Sequence, residues 1–226
     1  MSSSDFARLM VWTHAAAVPR VTRARRALLV RRLRLAALMV GSELDLHIEL
    51  DAVIGRDVSI EIAPGTKNRL HIGPGCKLGD GTRILLKGGD AELAGWDDLR
   101  PGCTLNISGR LRIGTAVSVG SGTMFHVAHD VTVGARCAFA EYVTVVDTTH
   151  IATEPDAAMA LGTAAGSVVI GEGCFIAAKV TIPRNSRVGS HCVIGASSVV
   201  VGEVPARTFV SGVPARHVKD VQVPWE

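Results

Sequence analysis

Aromatic side chains are scarce in this sequence of 226 residues, at only 4 % of the total. A core built around bulky rings is therefore excluded. Apolar residues as a whole are plentiful at 47 %, and charged residues make up only 20 %, so the chain does not have the composition of a disordered protein. Small and aliphatic residues dominate, which favours a fold made of many similar thin layers.

A strong charge of either sign is also absent. The formal net charge is +3, and no basic stretch is interleaved with aromatic residues. Nucleic-acid binding proteins usually carry both features, so we expect no nucleic-acid partner.

Paired cysteines and long apolar runs are missing too. The five cysteines form no C-x-x-C motif, which argues against a disulfide framework and a zinc ribbon. The start "MSSSDFARLM" does not resemble a secretory leader, and Arg31, Arg32 and Arg34 interrupt the most apolar early stretch, residues 27–40. We therefore expect a cytoplasmic protein that binds no metal.

What the sequence does contain is an aliphatic residue at every sixth position. A period of six fits neither a helix nor an alternating strand, but it fits a short strand followed by a turn. Three such units would make one coil of a parallel β-helix. The runs are Ile72, Leu78, Ile84; Leu93, Leu99, Leu105, Leu111; Ile113, Val119, Phe125; Val133, Phe139, Val145; and Ile170, Ile176, Ile182, Val188, Ile194, Val200.

The cysteines follow the same rhythm, each four residues after a member of a run. Small or aliphatic residues occupy that position elsewhere, so we expect the thiols to point into the core as small hydrophobic groups. They are Cys76, Cys103, Cys137, Cys174 and Cys192.

The repeat [LIV]-G-x-x-[small]-x resembles the hexapeptide-repeat acyltransferases, especially sugar, maltose and galactoside O-acetyltransferases. The resemblance is closest over residues 113–220, which include "VVIGEGCFIAAKVTIPRNSRVGSHCVIG" and the terminal "GVPARHVK". It implies an all-β protein with a left-handed parallel β-helix, although parallel crossovers in general are right-handed. We expect a helical arm at 1–47, the β-helix at 48–207 with a projecting loop at 151–167, and a short tail at 208–226.

The period of six stops after "VVDTTH" and resumes only at Ile170. In the family a histidine at such a junction acts on the acceptor, so the resemblance implies that His150 is a general base in acetyl transfer to a sugar or polysaccharide hydroxyl. We expect Asp147 to accept a hydrogen bond from the His150 ring and fix its tautomer. His126 and His129 are candidates for binding the acceptor.

The resemblance also implies that acetyl-coenzyme A, or another acyl-coenzyme A, is the donor, held between neighbouring chains of a homotrimer. The Ala178 and Ala196 backbones would line its groove, and Arg216 and Lys219 would meet its phosphates. Relatives often have Thr-Lys where this chain has Val201 and Gly202. Lys179 or Arg184 is the candidate replacement.

The arginine-rich segment 22–40 lacks Gly and Pro and predicts a helix. Its six arginines spread around the helix axis, which favours packing over the open end of the β-helix above a weak contact with a membrane surface.

Other functions stay open. The acceptor could be an amino sugar or another small molecule. A γ-type carbonic anhydrase would need three zinc-binding histidines, for which His126, His129 and His150 are available without the usual spacing. A β-helix acting only as an assembly module is the third alternative.

Overall fold

The computed structural model describes residues 20–151 and 162–222, which form one helix and a long series of short strands. The helix α1 spans Arg20–Met39. The strands are β1 Glu43–Ile48, β2 Val53–Ile54, β3 Ser59–Ile62, β4 Lys67–Ile72, β5 Lys77–Leu78, β6 Arg83–Leu86, β7 Asp90–Leu93, β8 Asp98–Leu99, β9 Thr104–Ile107, β10 Arg110–Ile113, β11 Ser118–Val119, β12 Met124–Val127, β13 Asp130–Val133, β14 Ala138–Phe139, β15 Thr144–Val146, β16 Thr148–Ile151, β17 Gly162–Ala165, β18 Val168–Ile170, β19 Phe175–Ile176, β20 Thr181–Pro183, β21 Arg187–Val188, β22 Val193–Ile194, β23 Glu203–Val204, β24 Thr208–Gly212 and β25 Ala215–Asp220.

The strands stack into a parallel β-solenoid, as the period of six predicts. Successive strands enter three different sheets in turn, so three strands make one coil. The predicted parallel β-helix is thereby confirmed. Sheet A has the order β1-β4-β7-β10-β13-β18-β21-β23, sheet B has the order β2-β5-β8-β11-β14-β19-β22-β24-β25, and sheet C has the order β20-β15-β12-β9-β6-β3.

Stacking places each aliphatic residue of the repeat directly over its equivalent in the next coil. Ile113 pairs with Leu93 on one side and with Val133 on the other, and Val133 pairs in turn with Ile170. All the residues of the six-residue runs are buried. Such columns remove apolar surface from water along the whole axis, at roughly 25 cal/mol per Å².

The five cysteines lie in the same interior, as predicted. All are buried and unpaired. Burial raises the pKa of the Cys76 thiol to about 12 and that of the Cys103 thiol to about 11, so both stay protonated near neutral pH.

Most of the predicted site residues lie along two edges of the solenoid. At the B–C corner, defined by the turns between sheets B and C, each turn residue donates its N–H to a turn carbonyl of the preceding coil. These turn residues have a positive φ, whether or not they are glycine: Gly81, Gly102, Gly122, Tyr142, Lys179 and Ser197. At the C–A corner, between sheets C and A, the chain passes through Gly109, His129, Asp147, Asn185 and Gly202.

The helix α1 packs on the first coil, as expected for a cover over the open end. Leu33 and Ala37 are buried, and Leu29 and Val30 pack against the core. The Arg26 guanidinium donates to the Ile48 carbonyl oxygen at 2.8 Å, which fastens the helix to strand β1.

The boundaries of the solenoid lie slightly outside the predicted range 48–207. Strand β1 already pairs with β4 from Glu43 onward. At the other end β24 still pairs in parallel with β22, and β25 then folds back antiparallel on β24. Among the described residues no helix combines the length and the apolarity needed to cross a bilayer.

One acidic side chain lies inside the stack. The Asp97 carboxylate is fully buried and accepts hydrogen bonds from the N–H groups of Val117 at 2.9 Å and Gly95 at 3.2 Å, and from the Cys76 thiol at 3.6 Å. Burial raises the Asp97 pKa to about 7, despite the opposing effect of these donors.

This raised pKa predicts a specific pH dependence of stability. The protonated form is favoured in the folded state, so the contribution of Asp97 is complete below pH ~4 and is lost as the pH rises through about 7. Asp97→Asn keeps a neutral side chain at every pH. We expect the variant to gain stability relative to the wild type between pH 5 and pH 8, by about 1.4 kcal/mol for each unit of raised pKa.

Urea unfolding at the two pH values measures this gain. Asp98→Asn is the matched control, because the neighbouring Asp98 carboxylate is partly exposed and pairs with Arg100 at 3.3 Å. Parallel pH profiles for the wild type and Asp97→Asn would contradict the prediction.

Candidate active site

The interruption of the repeat is an insertion at the C–A corner. Leu111 pairs with Val131, 20 positions on, whereas Val131 pairs with Val168, 37 positions on. The extra residues leave the stack as the antiparallel hairpin of β16 and β17, with His150 opposite Thr163. Most of the predicted loop 151–167, namely residues 152–161, lies outside the described residues.

Asp147 closes the base of this hairpin. Its carbonyl oxygen accepts the Gly166 N–H at 2.8 Å, where the chain returns, and its own N–H donates to the His126 carbonyl oxygen at 3.2 Å. The side chain is fully buried, and its two oxygens accept the N–H groups of Ala128 at 2.8 Å and His129 at 2.7 Å. These hydrogen bonds therefore fix the base of the hairpin to the C–A corner.

The predicted hydrogen bond between Asp147 and the His150 ring is wrong. Both carboxylate oxygens point into the corner, because the turn at Ala128 and His129 presents two N–H groups there. Within the described residues nothing joins this carboxylate to the imidazole. Asp147 is thus placed to position the hairpin and the preceding turn.

His150 itself lies on the exposed surface of strand β16. Its ring nitrogens have no hydrogen-bond partner among residues 20–151 and 162–222. An imidazole in this position is accessible to a substrate and can accept a proton from it.

His126 and His129 lie on the same edge of the solenoid as the hairpin. His126 is half-buried in strand β12, opposite Val146 in the next coil. His129 is exposed in the turn whose N–H Asp147 holds. The preceding coil approaches this turn so closely that a Cβ at Gly109 would lie 2.5 Å from the His129 backbone nitrogen.

The predicted groove residues lie at the B–C corner. The Ala178 carbonyl oxygen accepts the Ser197 N–H at 2.9 Å, and the Lys179 N–H donates to the Glu141 carbonyl oxygen at 2.9 Å. Ala196 and Lys179 are exposed in successive turns, and Ala178 is half-buried. These residues thus form a continuous strip along one edge.

The predicted basic residues lie in three places. Lys179 lies at the B–C corner, as described above, and the others lie elsewhere. Arg184 lies at the C–A corner, one coil before Gly202, since Thr181 bridges to Val199 in parallel. Arg216 and Lys219 are exposed on strand β25. The Ala215 N–H donates to the Val199 carbonyl oxygen at 2.8 Å, which holds Arg216 beside the last turns of the solenoid.

The outer faces of the sheets differ in a way that the sequence analysis did not anticipate. Sheet A carries alternating charges, such as Arg69 between Asp45 at 3.7 Å and Asp90 at 3.6 Å. The outward residues of four strands of sheet B and two strands of sheet C are uncharged, whereas β25, the last strand of sheet B, carries charged residues. The uncharged residues are Ala138, Phe175, Val193 and Phe209 on β14, β19, β22 and β24, and Thr144, Val146, Thr181 and Pro183 on β15 and β20. The sequence does contain this contrast. Comparing the residues at equivalent outward positions of successive coils would have revealed it.

Two surface depressions of the single chain lie near its amino-terminal end. One is bordered by Glu43, Lys67 and Asp90, and the other by Arg25, Leu28 and Arg56. Neither contains a predicted site residue.

Comparison with known proteins agrees with this architecture. Residues 167–202 match the family model described as bacterial transferase hexapeptide (six repeats). This confirms that the regular coils after the hairpin are hexapeptide repeats of the kind the sequence resembles.

Three similar proteins are informative. Rv3034c of Mycobacterium tuberculosis, named a probable acetyltransferase, is 30 % identical over 121 residues, which are 52 % of this chain and 40 % of that protein. WbbJ of Escherichia coli, named for O-acetyl transfer in lipopolysaccharide biosynthesis, is 40 % identical over 53 residues, 24 % of this chain and 27 % of its own length. The chain therefore spans less than half of either relative.

The third is a solved structure. A mutant of AntD, an N-acyltransferase from Bacillus cereus, in complex with dTDP-4-amino-4,6-dideoxyglucose and Coenzyme A, superposes with a TM-score of 0.52 at 19 % identity. The match covers 85 % of this chain and 90 % of that one. At this identity the likeness establishes a shared fold.

Proposed function

We propose that this protein is an acyl-coenzyme A-dependent acyltransferase that O-acetylates a sugar or polysaccharide hydroxyl. The observation that carries the proposal is an exposed imidazole, His150, on a hairpin fixed at the C–A corner by a buried carboxylate. A proton acceptor on a rigid base, open to solvent, is what activation of a hydroxyl requires.

The proposed reaction is a direct transfer. The acceptor oxygen attacks the thioester carbonyl carbon while His150 removes the hydroxyl proton. A new C–O bond forms, the C–S bond breaks, and the imidazolium returns the proton to the coenzyme A thiolate. Asp147 would act by holding the base of the hairpin in place, and His126 and His129 would bind the acceptor.

The donor is proposed to lie along the B–C corner. Its pantetheine arm would run past Ala178 and Ala196, whose turns expose backbone to solvent, and Arg216 and Lys219 would meet its phosphates. Lys179 lies on the same strip. Arg184 lies one coil before Gly202, the position at which relatives often carry a lysine, and Lys179 or Arg184 would supply that missing positive charge.

The separation of the two corners favours an active site shared between neighbouring chains. Sheet C lies between them, and three residues of extended strand such as Thr181–Pro183 span about 10 Å. We infer that three chains associate so that the C–A corner of one faces the B–C corner of the next. The uncharged outward residues of β14, β19, β22 and β24 in sheet B and of β15 and β20 in sheet C support this trimer, because they can be buried without leaving a charge unpaired.

The relatives support the substrate class. WbbJ is named for O-acetyl transfer in lipopolysaccharide biosynthesis, and Rv3034c is named as an acetyltransferase. An amino-sugar acceptor is the second candidate, since AntD is an N-acyltransferase whose structure holds an amino sugar nucleotide.

The role of His150 predicts a selective loss of turnover. In His150→Ala we expect kcat to fall by about 100-fold or more, because no other group takes the hydroxyl proton, while the Kd for acetyl-coenzyme A stays within about twofold. The measurement is thiol release from acetyl-coenzyme A with a panel of free hexoses, amino sugars and oligosaccharides, combined with calorimetric titration of coenzyme A.

Lys67→Ala is the control, since Lys67 is an exposed residue of strand β4 near the opposite end of the solenoid. Unchanged turnover in His150→Ala would remove His150 from this role. A wild type that neither releases thiol with any acceptor nor binds acetyl-coenzyme A would reject the enzymatic proposal and favour an assembly module.

We also propose that α1 contacts an anionic membrane surface. Successive helix residues are about 100° apart. On that spacing Leu28, Leu35 and Met39 form an outward stripe, and they are 51 %, 58 % and 79 % exposed. Arg31 and Arg32, both exposed, flank the stripe on either side. Arg26, by contrast, faces the solenoid and donates to the Ile48 carbonyl oxygen.

Charge complementarity decides the partner of this stripe. The segment 20–39 contains no acidic residue, so two copies of the helix would bring like charges together. An anionic lipid surface accepts both the arginines and the apolar stripe. In the sequence alone the arginines spread all around the helix axis. The pattern emerges only once Arg26 is set aside, because its side chain binds the solenoid.

Sedimentation with vesicles tests this contact. We expect the wild type to bind vesicles of mixed phosphatidylcholine and phosphatidylglycerol but not pure phosphatidylcholine, and Leu28→Gln combined with Leu35→Gln to lose that binding. Val218→Gln, altering an exposed valine on β25, should retain it. Equal binding to both vesicle types, or full binding by the leucine variant, would contradict the proposal.

A further inference from the structure

A cluster of potential metal ligands lies on the outer face of sheet A, at the end covered by α1. His47 in β1 and His71 in β4 are directly opposite each other in the parallel ladder. Glu49 follows His47 by two residues, and its N–H continues the ladder by donating to the Ile72 carbonyl oxygen at 3.0 Å. Side chains two residues apart on a strand share a face, so all three project from the same side.

The three side chains already converge. His47 Nε2 lies 3.0 Å from Glu49 Oε1. The rings of His47 and His71 are edge to face, with centroids 4.9 Å apart and planes at 89°. One ligand atom from each residue can be chosen so that all three lie within 4.8 Å of one another.

This spacing is close to what a bound ion needs. Ligand bonds of about 2.1 Å in tetrahedral geometry place ligand atoms about 3.4 Å apart. Small rotations of the side chains close the difference, because the His47 and Glu49 side chains are 59 % and 39 % exposed and are free to move. The rigid ladder beneath keeps their backbones in register.

Two neighbouring acidic side chains on this face are paired with arginines and not with the three candidate ligands. Glu92, which follows His71 in the same column, lies 3.4 Å from the Arg112 guanidinium, and Asp45 lies 3.7 Å from that of Arg69. Glu49 pairs with His47, and none of the ion pairs among the described residues joins it to an arginine.

We propose that His47, Glu49 and His71 form a binding site for a divalent transition metal, of which Zn²⁺ is the best match. Two imidazoles and one carboxylate are a ligand set that Zn²⁺ accepts, and the exposed position leaves its remaining coordination site to water. The ion joins the first coil to the second. It stabilises the end of the solenoid, where a coil has a neighbour on one side only, and takes no part in the acyl transfer proposed above.

The experiment is titration of the full, untagged, metal-free chain with Zn²⁺. We expect saturable binding by this site and a rise in Tm of about 2–4 °C at saturation. His71→Ala and Glu49→Gln should each weaken Zn²⁺ binding by at least about tenfold and abolish the rise in Tm.

His217→Ala is the matched control. His217 also pairs with a carboxylate, at 2.9 Å from Asp220, but that pair has no third ligand within the described part of the chain. Binding unchanged by His217→Ala and lost in the site variants supports the proposal. An absence of Zn²⁺ binding, or equal losses in the control and the site variants, would overturn it.

Discussion

The parallel backbone ladder between successive coils is the constraint on which the structure depends. Each strand has the strands of the coils before and after it as partners, and even the turns at the B–C corner are joined by N–H groups donated to the preceding coil. A residue is therefore fixed in space by its phase in the repeat. Columns of aliphatic residues and thiols fill the interior, and columns of charged or small residues face outward.

This constraint explains how the hairpin of β16 and β17 can be added without disturbing the fold. The ladder of sheet A passes from β13 directly to β18, so the insertion occupies only the corner between them. The buried Asp147 holds its base through its own carbonyl oxygen and through the two N–H groups bound by its carboxylate. Under the proposed function, catalysis depends on neighbouring chains, because the hairpin and the donor strip occupy different edges of one chain.

The sequence predicted features that depend on the repeat alone. The period of six, the inward cysteines, the covering helix and the interruption at His150 follow from phase and composition. Features that depend on corner geometry were not predictable. The Asp147 carboxylate points inward because the turn at Ala128 and His129 presents two N–H groups to it. No local sequence motif reveals this arrangement. The pairing of His47 with His71 joins residues 24 positions apart in an irregular coil, whereas later coils repeat every 20 or 18 residues.

The most direct test of the account is a crystal structure of the full chain with coenzyme A bound. The account predicts a trimer in which the pantetheine arm follows the B–C corner past Ala178 and Ala196, with its thiol beside the His150 ring at the C–A corner of a neighbouring chain. Coenzyme A bound away from both corners, or chains that do not bring the two corners together, would contradict it.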